Sequence, residues 1–294
     1  MAICGIFNVN KTGGMTSRRV VDLVQGAVRP AKVGHAGTLD PLATGVLVVC
    51  VGAATRLIEY VQRMPKDYTG TFLLGRHSPT EDVDGDVVEL DSPPVPTLEQ
   101  IVAASRLLVG RIEQRPPAYS ALKVAGRRAY KLARQGKKVD LQPRPIDVYR
   151  LDVQSYDYPE LKLRIQCGSG TYVRSLGRDL AESLGTAAVM SALVRTAIGE
   201  FHVEDAAAPQ EITSENCTEH LLPALRAVQQ LPRVELSAGE ISRIANGQSI
   251  PRETQPPDAK EIAAVDDAGR LVAILTHREP GVLRPLRNFP AGGS

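Results

Sequence analysis

Gly34-His-Ala-Gly-Thr-Leu-Asp-Pro-Leu-Ala-Thr-Gly-Val-Leu-Val-Val-Cys-Val51 passes from a loop of small and turn-forming residues straight into an apolar run. The run Val46–Val51 has the length and β-branched content of a buried strand. The loop before it carries one carboxylate, Asp40, with its backbone pinned by turn chemistry and its oxygens left accessible. The residues alone leave two readings open. One is an aspartate that caps backbone N–H groups in a turn. The other is an acid held against a rigid strand for chemistry.

Outward from this stretch, strand and helix signals mix without a regular βαβ rhythm. Ile6–Val9 reads as a strand, and Thr16 stands where an N-cap belongs before Val20, Val21, Leu23 and Val24. Thr69–Leu74 reads as a strand, and Thr97 as the cap of a helix through Leu107 or Leu108. Ala129–Gln135 reads as a basic helix stopped by Gly136. Val148–Tyr156 and Leu161–Cys167 read as strands joined at Tyr158-Pro-Glu160, and Thr171–Leu184 as a helix ending at Gly185. The mixture points to an α+β fold: a mixed, largely antiparallel sheet flanked by helices. After about residue 231 the pattern turns β-rich, with a hairpin signal at Asp266-Asp-Ala-Gly269 between two apolar runs. The expected division is 1–230 for the main domain and 231–294 for a small C-terminal module.

Composition narrows the class. The 294 residues are 43% hydrophobic, enough for a real core and against global disorder. Net charge is only +2, so the whole chain does not announce a polyanion partner. Charge is segregated, however. Residues 123–150 hold nine bases against two acids, and residues 80–91 hold six acids and no base, a distribution that can focus a field on an anion. Cys4, Cys50, Cys167 and Cys217 lack metal-ligand spacing and read as reduced thiols. No apolar run approaches the ~20 residues a bilayer needs, and the expectation is a soluble cytoplasmic protein. Thr80–Gly85 has a faint calcium-loop look, but its first position is Thr and its flanks read as strands, so a local turn is expected.

Four local signatures occur in order: Asn10-Lys-Thr-Gly-Gly-Met-Thr-Ser17; Gly34–Val48 onward to Thr55; Pro116-Pro-Ala-Tyr-Ser-Ala-Leu-Lys-Val124 with Gly126 and Tyr130; and Cys167-Gly-Ser-Gly-Thr-Tyr-Val-Arg-Ser175 with Asp179-Leu180. On this set, covering residues 5 to about 200, the chain resembles the bacterial TruB-type tRNA pseudouridine synthases. Asn10 and Thr12 depart from the Asp-Lys-Pro that the family usually has. The C-terminal module resembles, more weakly, a PUA domain, a small RNA-binding β-barrel.

The resemblance implies the pseudouridine synthase fold and an isomerase that converts the T-loop uridine of tRNA, position 55, to pseudouridine. It implies Asp40 as the nucleophile, Tyr172 as the base and Arg174 as the ion-pair partner of Asp40. It further implies Tyr68 as the ring stacked on the target uracil, Leu193 as the apolar residue beneath it, and His35 as a contact near the flipped nucleotide. The chemistry agrees with these residue types. Isomerisation breaks a C–N glycosidic bond and makes a C–C bond without redox change or phosphate transfer. It needs a carboxylate and a base, and neither cofactor nor metal. An extruded base also needs a stacking face. The expected partner is the T-arm and T-loop of tRNA, met by a monomer without guide RNA or membrane. A catalytically silent RNA-binding protein and a subunit of a guide-RNA machine are the competing readings. Asp40, Tyr68, Tyr172 and Arg174 are all present, which weighs against the first, and the chain lacks long extensions, which weighs against the second.

Overall fold

In the computed structural model, residues 3–120, 122–124, 127–129, 135, 141–252 and 259–289 are described. The chain opens with β1 (Gly5–Lys11) and α1 (Ser17–Ala27). Thr16 caps α1, its side chain accepting from the Arg19 N–H, and Val20, Val21 and Val24 form the buried stripe. β2 (Val33–His35), the Asp40 loop and β3 (Thr44–Val51) follow. A 3₁₀ turn leads into α2 (Ile58–Arg63). β4 (Lys66–Leu74) alternates buried and half-buried residues, the mark of a sheet with unlike faces. β5 (Arg76–His77) and β6 (Val88–Glu89) pair as a short hairpin enclosing the acidic turn. α3 (Leu98–Leu107) starts with a full capping box between Thr97 and Gln100.

β7 (Gly110–Gln114) is followed by the two-residue strands β8 (Lys123–Val124) and β9 (Arg127–Arg128). The basic helix expected over 129–135 lies outside the described residues apart from its two ends. β10 (Arg144–Asp157) and β11 (Glu160–Cys167) are the expected consecutive strands, β10 extending four residues earlier than Val148. α4 (Val173–Ser183) begins two residues later than expected, and the extended Tyr172 becomes its N-cap. β12 (Ala188–Ile198) and β13 (Phe201–His202) lead to the C-terminal region. There β14 (Arg233–Glu235), α5 (Ala238–Ala245), β15 (Ile250–Pro251), β16 (Ile262–Val265), β17 (Leu271–Glu279) and β18 (Val282–Asn288) follow.

The chain divides into two compact units, Met1–Asp40 with Val46–Gln62 and Phe201–Ser294, and Pro41–Gly45 with Arg63–Glu200. In the second unit the strand order runs from the start of β3 through β12, β4, β11 and β10 to β7. Pairing is antiparallel throughout except where Thr44 and Gly45 lie parallel to Val194 and Arg195. This is the mixed, largely antiparallel sheet expected. Helix α4 covers one face of it, and Gly177 allows the close approach. A Cβ there would stand 2.1 Å from a ring carbon of Phe72, which is fully buried on β4.

In the first unit β3 is flanked by β1 and, over Val49–Val51, by β2. Phe7, Val9, Val20, Val24, Leu47, Val49 and Val51 form its core with Ile212 and Cys217. The C-terminal residues build a separate five-stranded sheet, ordered β14-β16-β17-β18-β15, over a core that includes Val234, Ile244, Ile262, Leu275 and Leu283. Its hairpin is the expected one. Asp266 Oδ1 accepts from the Ala268 and Arg270 N–H groups, and Gly269 takes φ +73°. Arg287 of β18 pairs with Glu59, donates to the Arg56 carbonyl and stands over the Tyr60 ring, its guanidinium carbon 5.3 Å from the centroid. Burial pushes the Tyr60 phenol up to about 12.

Gly177→Ala is expected to lower the unfolding free energy by about 1–3 kcal/mol, because the added methyl overlaps the Phe72 ring. Urea denaturation measures it. The double variant with Phe72→Leu should recover part of the loss, and additive losses would reject this contact as the cause.

Candidate active site

Asp40 ends the segment that the first unit holds in place. Ser17, the first residue of α1, is buried, and its Oγ makes two bonds to the neighbouring Leu39: it accepts from the Leu39 N–H at 2.9 Å and lies 3.0 Å from the Leu39 carbonyl, to which it donates. A hydroxyl can donate and accept at once, so one serine engages both backbone polar groups of Leu39, the residue before Asp40. Earlier in the loop the Ala36 N–H donates to the Val48 carbonyl at 2.9 Å. Asp40 itself is half-buried. His35 is half-buried on β2, opposite Val49.

The residues after Asp40 belong to the second unit and are fixed there as tightly. Gly45 has φ +96°, and a Cβ on it would stand 2.2 Å from the Arg195 carbonyl oxygen. Glycine is required on both counts. Thr44 Oγ1 faces the Leu193 carbonyl at 3.5 Å.

Tyr68, Leu193 and Arg195 share one face of the second unit's sheet. Tyr68 on β4 lies opposite Arg195 on β12, and Leu193 lies opposite Gly70. Directly opposed residues of an antiparallel pair point to the same side. Gly70 is on the face of Tyr68 by strand alternation, and a Cβ added there would meet Leu193 Cδ1 at 3.6 Å. Tyr68 and Leu193 are buried, with 9% and 7% of their surface exposed. This is also the face that carries Phe72 and receives α4.

Tyr172 and Arg174 stand at the start of α4. The Tyr172 N–H donates to Gln114 Oε1 at 2.9 Å, and its carbonyl accepts from Gln114 Nε2 at 3.1 Å. That carbonyl also accepts the first helical bond, from the Leu176 N–H. Arg144 donates to the Gly170 carbonyl, and its guanidinium carbon lies 5.2 Å from the Tyr172 ring centroid, within cation–π range. Arg174 is buried on the helix side. Its Nη1 is 3.2 Å from Asp82 Oδ2, both side chains being 6% exposed. It also donates to the Thr80 and Tyr119 carbonyls.

The acidic turn is thereby explained. Thr80 Oγ1 donates to Asp82 Oδ1 at 2.6 Å, which orients the carboxylate toward Arg174. Glu81 takes a left-handed φ of +63° and accepts from Ser175 at 2.6 Å and from Arg178. Its carboxyl is raised above the ordinary range by burial, against the pull of Arg178 and Ser175. The Val83 N–H and Met190 carbonyl, with the Met190 N–H and Glu81 carbonyl, stitch the turn to β12. Two of the acids that gave the loop its calcium look, Glu81 and Asp82, are engaged by arginines. Among the described residues no group of three or more His, Cys, Asp or Glu side chains is placed to hold a metal ion.

Lys66 is buried at the start of β4, and its Nζ donates to the Met64 carbonyl at 2.7 Å and to Ser169 Oγ at 3.1 Å. Burial brings its pKa down to about 8, with Cys167 opposing and Arg195 assisting. Of the basic stretch 123–150, the described Arg144 and Arg150 both have protein partners, the Tyr172 turn and Asp152. Most of the other bases lie outside the described side chains. Gln114, Asp82 and Arg178 escape a sequence reading. The one signal was two acids inside a short turn, and what each would meet depends on helix α4, ~90 residues later.

Comparison with known proteins gives the family. The family model described as TruB family pseudouridylate synthase, N-terminal domain, matches residues 25–173. The tRNA pseudouridine synthase B of Dehalococcoides mccartyi is 38% identical over 290 residues, covering 97% of this chain and 96% of that protein. The protein of the same name from Mycobacterium tuberculosis is 38% identical over 295 residues, covering 97% and 98%. Among solved structures, a chain of a Cbf5-Nop10-Gar1 complex superposes with a TM-score of 0.69 at 25% identity, over 94% of this chain and 79% of that one. A chain of an H/ACA RNP bound to a substrate RNA has the same fold, with a TM-score of 0.71 at 22% identity. Alike in fold and along nearly its whole length in sequence, the chain belongs to the TruB family of pseudouridylate synthases.

Proposed function

We propose that this TruB-family chain is a tRNA pseudouridine synthase that isomerises the T-loop uridine, position 55, with Asp40 as its nucleophile. The observation that carries the reading is the anchoring of Asp40 through Leu39, whose backbone N–H and carbonyl are both bonded to the buried Ser17 hydroxyl. A carboxylate held this way meets a sugar or base atom at a fixed angle, and orientation is a large share of such a rate. The relatives named tRNA pseudouridine synthase B support the same substrate class.

In this reading Asp40 assists departure of the base from the ribose, the base turns, and a carbon–carbon bond replaces the carbon–nitrogen bond. Tyr172 accepts the proton from the carbon that has joined the sugar. Tyr68 stacks on the extruded uracil, Leu193 supports it, and His35 touches the RNA beside it. A flipped base loses its stacked neighbours and needs such a face. The family resemblance makes Arg174 the ion-pair partner of Asp40, and Asp82 and Thr80 keep its guanidinium in place. The residues from about 231 onward act as a PUA-like module on the tRNA. The protein works in the cytoplasm, as a monomer, without a guide RNA.

Asp40→Asn is expected to bind T-arm RNA with unchanged affinity and to release no tritium from uracil labelled at C5. Release near the parent rate rejects Asp40 as nucleophile. The parent protein alone should modify an unmodified tRNA transcript, and a requirement for added RNA would favour the guide-dependent reading. Asp82→Ala removes the carboxylate from a buried ion pair and should cost about 3 kcal/mol or more in urea unfolding, together with slower tritium release. An unchanged unfolding midpoint rejects the pair as a structural fixture.

A further inference from the structure

The turn that carries Tyr172 is held at three places by side chains from three strands. Lys66 of β4 reaches Ser169, Arg144 of β10 reaches the Gly170 carbonyl, and Gln114 of β7 takes both polar groups of Tyr172. Gln114 makes the most specific of these contacts. It is fully buried at the end of β7, and its amide faces the Tyr172 backbone as a second peptide would in a β-bridge. A buried amide in this geometry fixes two donor–acceptor pairs at once, and losing it leaves the Tyr172 N–H without its acceptor. Tyr172 needs such help because it precedes the regular helix in an extended conformation, and no side chain caps the helix there. Arg144 then limits the phenol ring from one side.

We propose that Gln114 is a positioning residue of the isomerisation, fixing the Tyr172 backbone so that its phenol meets the uracil carbon that loses its proton. The inference rests on Tyr172 acting as the base. Gln114 touches neither substrate nor reacting atoms and acts through Tyr172 alone. Its effect should therefore fall on the chemical step and leave tRNA affinity nearly untouched.

Single-turnover tritium release on a T-arm RNA labelled at uracil C5 tests this. Gln114→Leu is expected to slow the step by roughly 10- to 100-fold, the scale of a small misplacement of a catalytic group. Its Kd for the same RNA should stay within about twofold of the parent. Gln114→Glu separates positioning from simple packing. An ionised glutamate accepts from the Tyr172 N–H but cannot donate to its carbonyl, whereas the protonated acid does both, as the amide does. Burial favours the protonated form. Its deficit relative to the parent should therefore shrink as pH is lowered from about 8 to about 6. A parent-like rate in Gln114→Leu, a loss carried by Kd, or a Gln114→Glu deficit constant across that range overturns the proposal. Tyr172→Phe distinguishes the two levels. If Tyr172→Phe is as fast as the parent, the base assignment fails. If Tyr172→Phe is slow while Gln114→Leu is parent-like, only the role of Gln114 fails.

Discussion

Arg174 is a permanent cation with 6% of its side chain exposed, and much of the second unit is arranged around that fact. Removing a guanidinium from water is expensive, and the cost is recovered only when carboxylates and carbonyls surround it in good geometry. Asp82 and two carbonyls, of Thr80 and Tyr119, come to it from segments 55 to 94 residues away in sequence. Each must itself be held. Thr80 orients Asp82, Glu81 adopts a left-handed backbone beside it, and Ser175 and Arg178 of the same helix hold Glu81. The acidic turn and the first turns of α4 are thus one electrostatic assembly. The short hairpin β5–β6 presents the turn, and β12 supports it from below through Met190.

This explains which parts of the molecule were legible in sequence. Capped helices and apolar runs were. Thr16 and Thr97 cap where capping chemistry places them, β3 is buried as its run of valines requires, and Asp266–Gly269 turns the hairpin. These signals are local, so a window of a dozen residues contains them. The start of α4 was misread by two residues for a non-local reason. Tyr172 and Thr171 continue the helical pattern, but Tyr172 is extended, its N–H and carbonyl bonded to the Gln114 amide of a strand 58 residues earlier. The acidic turn was read correctly as a turn, and its purpose was hidden because Arg174 and Arg178 meet it only after folding.

The candidate site divides along the same line. Asp40, Tyr68, Tyr172, Arg174, Leu193 and His35 were nameable because each sits in a short stretch resembling a family. Of the residues that hold them, Gln114, Asp82 and Arg144 lack such a mark, and Ser17, though it closes the first signature, gives no sign of its bonds to Leu39. A glutamine at the end of a strand and a serine at the first position of a helix are ordinary in composition. Their roles come from paired hydrogen bonds to the backbone of one residue, which any sequence could in principle provide from elsewhere.

The backbone contacts also explain two of the glycines. Gly45 lies where the Arg195 carbonyl would strike any Cβ, and Gly177 where the Phe72 ring would. Both contacts bring a segment closer to the sheet than side chains permit: Pro41–Gly45 against β12, and helix α4 against β4. The sheet is the stiffest part of the second unit, since β12, β4 and β11 are paired along almost their full lengths. Segments seated on it without an intervening side chain inherit that stiffness. A group carried on such a segment has its position set by backbone pairing rather than by rotamer choice. That is the condition under which orientation lowers a barrier.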